Sequence, residues 1–149
     1  HISAGEVVSF QTYMTGELFD LISNQSVLRH GMSAGGWDDA AFDTALSDAM
    51  SRPERIGSAL FSLRAEGLIA GLTAAQARAR LSGLLIGVEL AAARPYWLGQ
   101  AVALIGSSTL ARVYARALKS TGAEARILPG PECTLAGLAS LARQPEATR

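Results

Sequence analysis

The hydrophobic pattern changes period several times along this chain, and each change marks an element. Between Val7 and Met14 the positions alternate loosely, with Val8, Phe10, Thr12 and Met14 on one side and Val7, Ser9, Gln11 and Tyr13 on the other. A period of two predicts a strand. Thr15-Gly16-Glu17 then turns the chain into a short helix carrying Leu18, Leu21 and Ile22. The glycine-rich stretch from Gly31 to Gly36 predicts a mobile loop. From Asp38 to Met50 the residues Phe42, Ala45, Leu46, Ala49 and Met50 recur at helical spacing. A second helix is expected to start near Pro53, a residue suited to a first turn, and to carry Ile56, Leu60 and Leu63. Thr73-Ala74-Ala75-Gln76 is a capping-box pattern that opens a long helix to about Ala93, and Pro95 blocks its continuation.

The last third reads differently. Ala101 to Ile105 is a compact apolar run and predicts a buried strand. Gly106-Ser107-Ser108 leads from it into a helix bearing Leu110, Val113, Tyr114, Ala117 and Leu118, which Gly122 is placed to end. Glu124 to Leu128 predicts a second strand, stopped by Pro129-Gly130-Pro131. A final helix carries Leu135, Leu138 and Leu141, and Arg143 to Arg149 is expected to fray. Strand, helix, strand, helix in this order predicts a parallel α/β unit. The expected class is therefore α/β, helix-rich with a small sheet. At the other end, the turn Ser3-Ala4-Gly5-Glu6 follows only His1 and Ile2, leaving almost no first strand for a hairpin. The expectation is a piece cut from a larger protein, with residues 1–149 forming a single domain.

Composition narrows the classes. At 149 residues, 49% hydrophobic and 17% charged, the chain can bury a core and is not of disordered type. Its 13 basic and 13 acidic side chains cancel, so the footprint of a nucleic-acid binder is missing and no nucleic-acid partner is expected. No apolar run approaches the roughly 18 residues of a spanning helix, so no membrane partner is expected either. A single cysteine, Cys133, allows no intrachain disulfide, which fits a cytoplasmic location. His1 and His30 stand alone, and no metal site is expected in the chain.

Chemistry is most plausible where the inner strand ends. Gly106 has no Cβ, so a planar base or a ribose can approach its backbone closely. The carboxyl ends of parallel strands are where ligands of α/β sheets bind. Ser107 and Ser108 can donate hydrogen bonds there or simply cap the following helix. In the long helix, Ser82, Gly83 and Gly87 are the second candidate. Glycines four apart share a face, admitting either a nucleotide or another helix. Thr15 and Glu17 follow the first predicted strand and can serve a ligand, or act as an N-cap and a dipole-favoured carboxylate. Arg64 offers a two-pronged donor to a carboxylate, or neutralises the end of its helix.

Several segments together resemble a known family. Phe10-Gln11-Thr12-Tyr13-Met14-Thr15-Gly16-Glu17-Leu18-Phe19 is similar to the segment that follows the second phosphate-binding motif of 2-dehydro-3-deoxygalactonokinases. Ser26-Val27-Leu28-Arg29, Leu60-Phe61-Ser62-Leu63-Arg64, Leu81-Ser82-Gly83-Leu84-Leu85-Ile86-Gly87 and Leu104-Ile105-Gly106-Ser107 resemble later family segments in the same order. The resemblance implies the sugar kinase, actin and Hsp70-type ATPase superfamily, whose members have two ribonuclease H-like lobes with ATP and substrate between them. It implies a C-terminal lobe, partnered by the N-terminal lobe of the same protein, and phosphorylation of 2-dehydro-3-deoxy-galactonate by ATP and Mg2+. By position Gly106, Ser107 and Tyr114 match the adenosine side, and Ser82, Gly83 and Gly87 match a helix flanking the nucleotide. Thr15, Glu17 and Arg64 are assigned to the sugar acid. The metal ligands and phosphate motifs are expected in the other lobe, and no catalytic base is assigned in this one, so the fragment alone is expected to be inactive.

Two other classes compete. A non-catalytic, nucleotide-responsive regulator or scaffold of the same fold would share the Gly106 turn. A plain helical interaction domain would show no strand pairing at Ala101 to Ile105.

Overall fold

The computed structural model describes residues 1–32 and 35–143. Residues 144–149 of the expected frayed tail, and two residues of the expected glycine loop, lie outside the described residues. The chain forms two compact units, His1–Leu98 and Gly99–Arg149.

The first unit opens with a two-residue hairpin, β1 (Ile2–Ser3) against β2 (Glu6–Val7), paired Ile2 to Val7 and Ser3 to Glu6. Ala4 and Gly5 at its tip have φ of 51° and 82°. Positive φ at both central residues is the geometry that matches the twist of tight hairpins. The strand expected from Val7 to Met14 does not form beyond Val7. Phe10 and Met14, on its supposed inner side, are 76% and 52% exposed. Alternation makes a strand only where a neighbouring ladder and a face to bury exist, and beyond Ser9, whose carbonyl accepts from the His1 amino group, this segment has no ladder among the described residues.

Helices make up the remainder of this unit: α1 (Thr15–Gln25), α2 (Asp39–Ser51), α3 (Ile56–Ile69), α4 (Ala74–Ala92) and the short α5 (Arg94–Trp97). Two 3-10 turns, Val27–Gly31 and Pro53–Arg55, lead out of α1 and into α3. The Asp38 side chain accepts from the Ala41 N–H at 2.8 Å and starts α2. The capping box read from Thr73 and Gln76 is present and starts α4.

Helix α4 is the centre of the packing. Ala77, Leu81, Leu84 and Leu85 pack with Leu28, Met32, Ala45, Ala49 and Leu63. Each leucine buried in this way contributes roughly 1.5–3 kcal/mol. The Arg78 guanidinium lies 5.3 Å from the centroid of Phe19, holding α1 to α4. The buried Trp97 donates its indole N–H to the Leu90 carbonyl at 2.8 Å and pins α5 to the end of α4. Among the described residues no helix is long and apolar enough to cross a membrane.

The second unit is β3 (Val102–Gly106), α6 (Ser108–Ser120), β4 (Ala125–Pro129) and α7 (Gly130–Ala142). β3 and β4 are parallel, in register from Val102–Ala125 to Gly106–Pro129. This ladder removes the plain helical alternative. Helix α6 ends as its sequence predicts. Gly122, with φ of 82°, donates to the Lys119 carbonyl and Ala123 donates to that of Leu118, both at 3.0 Å, which turns the chain back toward β4.

One expectation is corrected here: β3 is not buried. Ala103, Ile105 and Gly106 are exposed, Ile105 by 60%. A strand becomes buried when it is flanked and covered on both faces, and β3 has one partner strand among the described residues.

Candidate nucleotide and substrate site

The turn after β3 has the geometry its residues predict. A Cβ built on Gly106 meets nothing within 4 Å, so the backbone at the carboxyl end of the strand is open. Ser107 is the N-cap of α6, its hydroxyl oxygen accepting from the Leu110 N–H at 3.4 Å. The capping role therefore engages one lone pair and leaves the hydroxyl proton to donate elsewhere. Tyr114 sits two turns along α6 and is half-buried. Gly106 and Pro129 end their strands side by side, and helices α6 and α7 both begin at that edge of the sheet.

The α4 glycines have a different environment. Gly83 and Gly87 are buried against α2. A Cβ on Gly83 would lie 2.5 Å from the Phe42 carbonyl oxygen and 3.0 Å from the Leu46 nitrogen, and one on Gly87 would lie 2.7 Å from Ala49 Cβ and 2.8 Å from the Leu46 carbonyl oxygen. The face they open is filled by α2, through its backbone at Phe42 and Leu46 and the Ala49 methyl, which is the helix-packing alternative for this spacing. Ser82, next to them, is half-buried.

Thr15 is the first residue of α1 and not its cap. The cap position is Met14, which supplies no side-chain bond. Thr15 is half-buried, and Glu17 is exposed in the first turn, where the helix dipole favours a carboxylate. Arg64 lies inside α3 and not in its last turn, so the dipole reading of it is also corrected. Its Nη1 donates to the Val27 carbonyl at 3.0 Å across 37 positions of sequence. That bond ties α3 to the Val27–Gly31 turn, and the guanidinium borders a cavity of about 130 Å³. Sequence reasoning missed this cavity, because Leu28 and Leu63 become neighbours only through tertiary packing.

Thr15, Glu17, Arg64 and Ser82 thus belong to the first unit, and Gly106, Ser107 and Tyr114 to the second. On the first unit's surface, hydrogen bonds from Arg80 hold the Glu66 carboxyl below the usual carboxylate range, with burial opposing them. Among the described residues no group of three or more His, Cys, Asp or Glu side chains is placed to hold a metal.

Comparison with known proteins gives this geometry its context. A crystal structure from Sinorhizobium meliloti, described as a candidate 2-dehydro-3-deoxygalactonokinase, superposes with a TM-score of 0.84 at 41% identity, covering 91% of this chain and 46% of that one. The fold is thus that of a helix-rich α/β protein of this kinase type. A model of the 2-keto-3-deoxy-galactonokinase family matches residues 1–141, and the chain belongs to that family. A probable 2-dehydro-3-deoxygalactonokinase of Rhizobium meliloti (strain 1021) is 41% identical over 143 residues, covering 92% of this chain and 46% of the relative. The 2-dehydro-3-deoxygalactonokinase of Escherichia coli (strain K12) is 33% identical over 138 residues, with 92% and 47% covered. The chain spans about half the length of the curated relatives it matches.

Proposed function

We propose that this chain is the C-terminal half of an ATP-dependent sugar-acid kinase, an actin-like ATPase lobe that acts on 2-dehydro-3-deoxy-D-galactonate together with an N-terminal lobe. The terminal hydroxyl oxygen of the sugar acid attacks the γ-phosphorus, the bond from that phosphorus to the β-bridging oxygen breaks, ADP leaves, and the hydroxyl proton passes to a general base, which this chain does not identify. The observation that carries the reading is the open backbone at Gly106, at the carboxyl end of a parallel strand pair, in a member of this family. It suits adenosine because a flat ring can lie against a backbone that carries no side chain. The kinase names of both relatives set this reading above a non-catalytic nucleotide-responsive module.

Within this chain, Gly106 supplies the flat wall, Ser107 a hydroxyl donor, and Tyr114 the flank of α6. The polar start of α1, with Thr15 half-buried and Glu17 exposed, serves the sugar acid. When bound with the nucleotide, Mg2+ would offset the charge of the phosphates, and its protein ligands would come mainly from the N-terminal lobe. Phosphoryl transfer rests on positioning and charge stabilisation supplied by several parts at once, so half of the cleft does not turn over by itself.

Gly106→Val tests the assignment in the full-length protein. The added side chain enters open space, so the unfolding midpoint holds, while the Kd for ATP rises at least about tenfold, or about 1.4 kcal/mol. Unchanged ATP affinity refutes the site. A kinase assay of the full-length protein on several 2-keto-3-deoxy acids tests the substrate, and robust turnover by the isolated chain would overturn the half-cleft reading.

A further inference from the structure

The cavity beside Arg64 does not match a sugar acid. Its floor is apolar, made by the buried side chains of Leu28, Met32, Leu63 and Ala77. A polyhydroxylated substrate would lose water there and find few hydrogen-bond partners, at the cost of each unpaired hydroxyl. The rim carries the charge of Arg64, and among the described residues no carboxylate lines it. Arg64 is anchored by its bond to the Val27 carbonyl, which is its one protein acceptor among the described residues. A guanidinium has five N–H donors, so most of its donors stay available in a side chain whose position is already fixed. Elsewhere in the first unit a comparable cation, Arg80, has its fork closed on Glu66. Arg64 has no such carboxylate.

An anchored, unneutralised guanidinium over an apolar floor is the complement of a short acid with a hydrocarbon tail. Size agrees. An apolar cavity of roughly 150 Å³ takes up a molecule of benzene's dimensions, and this one holds about 130 Å³. We infer that the pocket between the Val27–Gly31 turn, α3 and the start of α4 is a binding site for a short aliphatic monocarboxylate. The carboxylate pairs with the free donors of Arg64, and the tail rests on Leu28, Met32 and Leu63. The inference stands on geometry alone and does not depend on the kinase reading.

The test is calorimetric titration of the full-length protein with isovalerate, in the absence of nucleotide and sugar acid. Saturable binding is expected, with the neutral isovaleramide at least tenfold weaker. Arg64→Gln should abolish binding, but it also removes the bond to Val27. Gly67→Leu is the independent variant: Gly67 lines the cavity, and a Cβ there meets nothing within 4 Å, so a larger side chain can be taken up at that wall and narrow the space for a ligand. It should abolish isovalerate binding without lowering the unfolding midpoint. Absence of saturable binding, equal affinity for the amide, or full binding in Gly67→Leu overturns the proposal. So does displacement of isovalerate by the sugar acid at equal affinity.

Discussion

A methyl group added to Gly83 is a direct measure of how close α2 and α4 lie. Alanine is favoured over glycine within a helix by roughly 1 kcal/mol, so propensity alone predicts stabilisation. At Gly83 the new Cβ would sit 2.5 Å from the Phe42 carbonyl oxygen and 3.0 Å from the Leu46 nitrogen. Both are backbone atoms, which cannot rotate away, and Phe42 and Leu46 are themselves fully buried. Relief requires α2 to move off α4 and loosen those contacts. Overpacking of this kind costs typically about 1–3 kcal/mol, and a backbone clash places Gly83→Ala at the upper end. Net of propensity, the variant should lose about 2 kcal/mol. Gly67→Ala in α3 is the control, since its Cβ meets nothing within 4 Å and only the propensity gain of about 1 kcal/mol applies. Urea unfolding followed by far-ultraviolet circular dichroism should show opposite midpoint shifts, with Gly83→Ala lower by about 1 M for slopes near 2 kcal/mol per M. A midpoint for Gly83→Ala at or above wild type would refute the close-packing account.

Two further outcomes follow from single contacts. Glu66→Gln should lower stability at neutral pH by less than about 1 kcal/mol, because the pair with Arg80 is partly exposed and screened. Glu66 is held below its unfolded value, so its contribution is full above the ordinary carboxylate range and is lost as pH falls through the lowered folded value; wild type and variant should converge in acid melts. Thr73→Ala removes the side-chain half of the capping box and should cost about 1 kcal/mol, read by the same denaturation.

Local signals in the sequence carried far. The capping box at Thr73, the stripe Phe42, Ala45, Leu46 and Ala49, and the terminating Gly122 all appear where their residues place them. Each is a rule satisfied within a few positions, so no tertiary knowledge is needed. What failed was partner identity. The alternation from Val7 to Met14 gave a period but no neighbour to bond with. The four-residue spacing of Gly83 and Gly87 announced a close approach by a nucleotide or another helix without deciding between them. Ala45 and Ala49 have the same spacing on α2, and pairing the two small-residue motifs would have pointed to helix against helix. The Arg64 cavity lay beyond reach, because a bond spanning 37 positions is a product of the whole unit's packing.

Most packed helices are separated by a layer of interlocking side chains that can change rotamer and absorb a small displacement. Where Gly83 and Gly87 bring α4 onto the main chain of α2, that compliant layer is missing. Close-packed interiors transmit strain, and here a push on one helix reaches the other undamped. The pair therefore behaves as a stiff strut, and the two helix starts, at Asp38 and Thr73, are held in a fixed relation to each other.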